Sequence, residues 1–440
     1  MSKSKTLGFL ASLTLLLALL VVLPGMGAED RKDGKDGLYR PLGLFTDVLS
    51  LVRSNYVEPV EVKPLLQGAF SGMTESMDPF AEYVPPERMA AFASAEAARA
   101  KKDVVDVGIV LARRFGYPVV VSAVEGSPAA VAGLKSDDVI ETIDGTPGRA
   151  LALWEAEAKL SGKSGSRVKL LVVREGKPRR RTIDVLRAAW TPAGPSTSRV
   201  EGETVVRIPD FIPGTADAVK KILSTYDRTK PLILDLRGNA LGEFEEAART
   251  AAFFVPAGIL GEMKGKKIET ISYKAQPGER MHEGRVVVLV DSGTAGAAEL
   301  FASALHDTQS RSEPALAKAG EPPKAEKGDG TEADEDVGPA RDRDAAKAAQ
   351  RVRLVGEPTC GMGFKSQVVK LASGGSLKLS VGKLHTPRGK VLSPRGVEPD
   401  DRVFPLPPDE SSPNAPSDPV LQRGLKILAE ASTAASKTAA

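Results

Sequence analysis

One cysteine and three histidines in 440 residues leave little material for redox or metal chemistry. Cys360 by itself cannot close an internal disulfide, and His282, His306 and His385 are scattered without ligand-spaced neighbours. Neither a metal nor a cofactor is expected. Excess charge is missing too: a net charge of +3 over this length offers no electrostatic footprint for nucleic acid, so no such partner is expected. Long apolar runs are absent except one. Lys3 and Lys5 precede the stretch from Leu7 to Leu23, which Pro24-Gly25 interrupts before the small residues Gly27-Ala28. That layout reads as a signal peptide over 1–28 and an exported protein of the periplasm or cell envelope. If uncleaved, the same stretch would be an N-terminal membrane anchor.

What is present divides into several domains, as the length requires. Over 38–103 the pattern is helical: Leu44, Phe45, Val48, Leu49 and Val52 recur at helical spacing, and a second helix runs near Val62 to Met77 before the Asp78-Pro79 turn. Residues 104–188 form the next unit. Pro118 to Ser122 is a strand, Ser127-Pro128 starts a short helix that Gly133 ends, and Val139 to Ile143 is a strand closing in the Asp144-Gly145 turn. Gly126-Ser127-Pro128-Ala129, Ala132-Gly133-Leu134, Asp138-Val139-Ile140 and Ile143-Asp144-Gly145 together resemble a PDZ domain. The resemblance implies that a peptide C-terminus adds as a strand, its carboxylate held by backbone N–H groups at Val107, Gly108 and Ile109. The helix beginning at Leu153 would be the groove's other wall.

From about Thr204 strands alternate with helices, which indicates a partly parallel sheet. This core is expected over 189–307 and 351–405. Between the two pieces, 308–350 contains no Phe, Trp or Tyr and few large aliphatics. Such a composition cannot bury enough apolar area to offset chain entropy, so a disordered insertion is expected. Residues 406–440 read as a C-terminal tail.

Two segments carry the chemistry. The β-branched run Val286 to Val290 leads through Asp291-Ser292-Gly293-Thr294-Ala295-Gly296 into an Ala-rich helix. The second segment is Val355-Gly356-Glu357-Pro358-Thr359-Cys360-Gly361-Met362-Gly363. A strand delivering a helix N-terminus presents unpaired N–H groups that suit an oxyanion. With Asp235-Leu236-Arg237-Gly238-Asn239, His385-Thr386-Pro387-Arg388-Gly389 and Gly396-Val397-Glu398-Pro399-Asp400, these segments resemble the carboxyl-terminal processing (tail-specific) serine peptidases. The fold that follows is a multidomain α/β protein: a helical N-terminal region, a PDZ domain and a protease-like core.

The same resemblance implies a nucleophilic Ser at the position of Gly296 and a Lys base at that of Met362. Neither replacement can attack a carbonyl or take a proton usefully. The oxyanion-like region would comprise Leu241, Gly242 and Ala297, with Leu241 standing where the family has a glycine. Asp307 matches a family Asp. The leading expectation is therefore a catalytically inactive homologue that binds peptide or protein C-termini, or regulates an active peptidase relative. The alternatives are an active serine-type endopeptidase using displaced groups (Thr294, Ser292 and Lys365) and a structural scaffold of the cell envelope.

Overall fold

The computed structural model describes residues 36–99, 101, 103–174, 177–308, 350–392, 394–404 and 418–438. The signal peptide expected over 1–28, nearly all of the 308–350 insertion and the stretch 405–417 lie outside the described residues.

The chain divides into two units, Met1–Ala69 and Phe70–Ala440. The first contains α1 (Asp36–Asn55) and the opening of α2 (Val62–Met77). Helix α1 starts earlier than the apolar periodicity alone indicated and carries Pro41 within it.

In the second unit the N-terminal region is more than helical. Beyond α2 it supplies the short strand β1 (Glu82–Val84) and helix α3 (Met89–Arg99). The buried Glu82 carboxylate accepts backbone N–H groups of Leu153 and Trp154, so this region caps a helix of the next domain.

That next domain is a compact sheet with one long and one short helix. In order come β2 (Val104–Val105), β3 (Ile109–Arg114), β4 (Tyr117–Ala123), α4 (Pro128–Val131), β5 (Val139–Ile143), β6 (Thr146–Pro147), α5 (Leu153–Leu160), β7 (Gly162–Lys163), β8 (Arg167–Arg174) and β9 (Lys177–Leu186). The main sheet runs β3-β4-β5-β8-β9, which leaves β3 at an edge. Local chemistry explains the boundaries. Ser127 Oγ accepts the Ala130 N–H and Pro128 opens α4, as a capped helix start requires. Asp144 and Gly145 both take positive φ, the geometry of a tight hairpin. Alternate residues of β8 (Val168, Leu170, Val172) are fully buried against Ile140, Ile143 and Leu160.

The core follows with β10 (Ser196–Val200), β11 (Glu203–Arg207), α6 (Thr215–Ser224), β12 (Leu232–Asp235), α7 (Phe244–Ala251), β13 (Gly258–Lys264), β14 (Ile271–Ala275), β15 (Val286–Val290), α8 (Ala297–Thr308), β16 (Val352–Gly356), β17 (Phe364–Lys370), β18 (Ser376–His385), β19 (Asp401–Arg402) and α9 (Pro419–Thr438). One sheet runs β10-β11-β12-β15-β16-β19, parallel except for β10. Its central strands are continuous apolar runs because both faces are covered. Leu232, Leu234, Val286, Val288 and Val290 face α6, α7 and α8. Ile233, Val287 and Leu289 point the other way. A second, antiparallel sheet runs β1-β18-β13-β14 with β17 also on β18, so the N-terminal region contributes a core strand.

The second face of the parallel sheet corrects the expectation of a tail over 406–440. Helix α9 buries Val420, Leu425, Ile427 and Leu428 against Ile233, Val287, Leu289 and Val355. Gly424 lets it approach: a Cβ there would stand 3.1 Å from Leu289 Cδ2. An apolar sheet face cannot remain in water, and this helix is what covers it.

Candidate functional site

The two chemistry-bearing segments meet in space. Strand β15 ends at Val290, and the turn 291–296 then enters α8, whose residues are nearly all buried. Thr294 holds the turn shut from inside. Its hydroxyl is bonded to Leu236 O at 3.0 Å and Asp291 Oδ1 at 3.0 Å and receives the Asp291 N–H, and the residue is fully buried. Asp291 Oδ1 also accepts the Gly238 N–H at 2.8 Å, which ties the loop after β12 to the same turn.

Gly296 stands at the mouth of the helix with φ +59. The nearest foreign atom to a Cβ built there would be Met362 O at 3.9 Å. The positions that the resemblance assigned to nucleophile and base are thus neighbours, and neither carries a reactive side chain. Met362 is half-buried and packs with Ala240, Cys360 and Phe364 against the core of the 104–188 domain.

Glu299 is what brings the segments together, a role that sequence reading did not assign to it. It lies on the first turn of α8 and is fully buried. Its carboxylate accepts the N–H of Gly296 at 2.9 Å, the N–H of Gly361 at 2.7 Å, the Thr359 hydroxyl and the Met362 N–H. Burial pushes its carboxyl up to about 7 against the pull of those donors. The folded-state value lies above the ordinary glutamate value of 4.5. Its stabilising contribution is therefore full below that value and declines as pH rises through 7. Glu299→Ala leaves several buried donors unpaired and is expected to cost about 3 kcal/mol at pH 5. That deficit should narrow toward pH 8 in urea denaturation, and a deficit independent of pH would contradict the neutral, buried carboxyl.

The fallback groups are not gathered at Gly296. Thr294 is locked inward, as described. Ser292 donates to Asp137 Oδ2, whose other oxygen takes Arg114 Nη1 at 2.9 Å. Lys365 is exposed on β17, paired with Gly382 in the antiparallel sheet. Cys360 lies close by, but burial and then Glu299 push its thiol up to about 12, so it is no nucleophile near neutral pH. In the oxyanion-like region, Leu241 O accepts the Phe211 N–H, and Gly242 at φ +137 lies against the Phe211 backbone, 2.5 Å from where its Cβ would be. Ala297 opens α8 and is buried. Asp307 anchors rather than reacts: it meets His306 Nδ1 at 3.1 Å, and Asp400 meets Nε2 at 3.2 Å. Burial opposes the His306 charge, yet the two carboxylates push the ring up to about 9.

A second feature is a groove between the β3 edge and α5. Ile109 and Glu157 line two adjoining cavities of about 230 and 260 Å³. The first is bounded by Asp106, Val107, Leu160 and Ser161, the second by Leu111, Leu153, Met362 and Phe364. The groove therefore leads from the 107–109 loop to the Met362 segment. Farther along β3 the edge is closed, because the Arg113 N–H donates to Pro79 O at 2.9 Å. In the loop itself, Gly108 has φ +74, and a Cβ would collide with Ser127 at 2.2 Å. Its N–H, expected to face a ligand, donates instead to Asp106 Oδ1 at 2.7 Å.

A PDZ-like sheet with a groove beside its edge strand, together with an α/β core that carries a helix-mouth turn, defines the class of protein. Residues 119–174 match the PDZ domain family, and residues 204–311 and 344–403 match peptidase family S41. The chain carries these two domains, and its relatives are carboxy-terminal processing proteases. It is 27% identical over 361 residues to the carboxy-terminal processing protease CtpA of Bacillus subtilis, which covers 79% of this chain and 66% of that protein. The carboxy-terminal-processing protease of Bartonella bacilliformis is 25% identical over 404 residues, covering 90% and 82%. Relative to the Bacillus proteins the chain spans slightly under two thirds of their length. The solved photosystem II D1 C-terminal processing protease shares the fold, with a TM-score of 0.58 at 24% identity over 82% of this chain and 86% of that one.

Proposed function

We propose that this protein is a catalytically inactive homologue of the carboxy-terminal processing proteases that holds extended polypeptide tails in the groove between β3 and α5. The observation that carries the reading is Gly296. It occupies the turn at the mouth of α8 beside Met362, with room for a side chain and none present. The groove supports the binding half, since an edge strand with an apolar floor takes a peptide by strand addition. Relatives named as proteases support a polypeptide ligand rather than a small molecule. Lys3, Lys5 and the apolar stretch from Leu7 to Leu23 support export. An active peptidase of the same family is the natural partner for a protein that can hold a tail without cutting it.

Residues 29–440 are expected to bind tail peptides with no cleavage product over hours, measured by mass spectrometry beside fluorescence anisotropy. Steady turnover that vanishes in Ser292→Ala or Thr294→Ala would overturn the inactive reading and support catalysis by displaced groups.

A further inference from the structure

The end of the groove is lined by a carboxylate from the chain itself. Asp106 lines the cavity of about 230 Å³ between β3 and α5. Its Oδ1 accepts the Gly108 N–H at 2.7 Å and the Trp190 indole N–H at 2.9 Å. These donors would serve an arriving terminal carboxylate. The Gly108 site is also sterically specified, because its backbone sits where any Cβ would strike Ser127, and the Trp190 ring closes in at 3.0 Å. The nearby positive charge is shared: Arg99 feels Asp106 as well as its two glutamate partners. Arg99 is the cation among the cavity's lining residues, and its guanidinium bonds Glu157 at 2.6 Å and Glu96 at 3.4 Å. A ligand carboxylate would therefore meet a like charge at close range, with the Gly108 and Trp190 donors already engaged.

From this we infer that Asp106 is a specificity residue that turns the groove away from free C-termini. Resting on the peptide-binding reading above, the inference names the ligand as an uncharged extended segment. Such a segment is an interior stretch of a tail, or an end whose carboxylate is masked. It pairs with the open part of the β3 edge at Ile109–Leu111 while its side chains meet Leu153 and Leu160 on α5. The backbone ladder supplies affinity without any terminal charge.

The test is a randomised decapeptide array in which every sequence is anchored through its N-terminus and presented both as the free acid and as the carboxamide. It is probed with the full exported chain. Among bound sequences the carboxamide is expected to bind at least as well as the acid, typically several-fold better. Asp106→Asn keeps the acceptor for Gly108 but removes the charge, and should raise acid binding several-fold. Asp106→Ala also releases both donors, and should shift the acid-to-amide ratio by about tenfold or more. Sequences bound by the parent chain only as free acids would overturn the inference while leaving peptide binding intact. The same holds for an acid-to-amide ratio unmoved by either substitution. An array with no bound sequence in either form would remove the peptide-binding reading and this inference with it.

Discussion

A chain ending at residue 404 is expected to lose its cooperative unfolding transition. The reason lies in the parallel sheet, which is apolar on both faces. Without α9, Val205, Ile233, Val287, Leu289 and Val355 lose the helix that buries them, and Val420, Leu425, Ile427 and Leu428 are gone. Burying each large aliphatic is worth roughly 1.5–3 kcal/mol. Even a fraction of that sum matches the roughly 5–15 kcal/mol by which domains are stable. Two ion-pair anchors go as well, Arg237 with Asp418 at 2.6 Å and Arg423 with Asp401 at 2.7 Å. Circular dichroism melting and gel filtration check this outcome. Leu425→Ala with Leu428→Ala provides a graded version that should lower the melting temperature strongly without removing the helix. A truncated chain that melts cooperatively within a few degrees of the parent would show that α9 is dispensable.

The second large effect is a gain. Gly296→Ser together with Met362→Lys is expected to give peptide cleavage well above any shown by the parent. Neither substitution alone should suffice, because nucleophile and base act as a unit. Space permits the serine, since the nearest foreign atom to its Cβ is 3.9 Å away. The cost is a left-handed backbone at φ +59, roughly 1–2 kcal/mol for a residue with a Cβ. A lysine at 362 would stand half-buried beside Cys360 and Phe364, where desolvation lowers an amine toward the range of a useful base. Burst-phase release from a tail peptide ester would detect even slow acylation. If the double variant stays silent while its fold and peptide binding are unchanged, more than two side chains separate this site from catalysis. Leu241, where the resemblance calls for glycine, is then the next position to change.

Much of this was legible in the residues themselves. The strands Val286–Val290 and Leu232–Asp235, the capped turn at Ser127-Pro128, the Asp144-Gly145 hairpin and the placement of Gly296 at a helix mouth all follow from local pattern and turn chemistry. These are short-range preferences that a chain expresses wherever it folds. Other features depend on partners distant in the sequence. Glu299 became the clasp of the site only because Gly361 and Met362, some sixty positions away, fold onto it. Helix α9, read from the sequence as part of a tail, has its role from the uncovered face of a sheet built by earlier strands. Asp106 bonds its near neighbour Gly108, but only the fold brings Trp190, from 84 positions away, onto the same oxygen. By itself the sequence determined that Gly stands at 296 and Met at 362, since composition at a position needs no coordinates. Only the tertiary structure decided what surrounds those positions and which carboxylate lines the groove, because burial and hydrogen-bond competition are properties of neighbours in space.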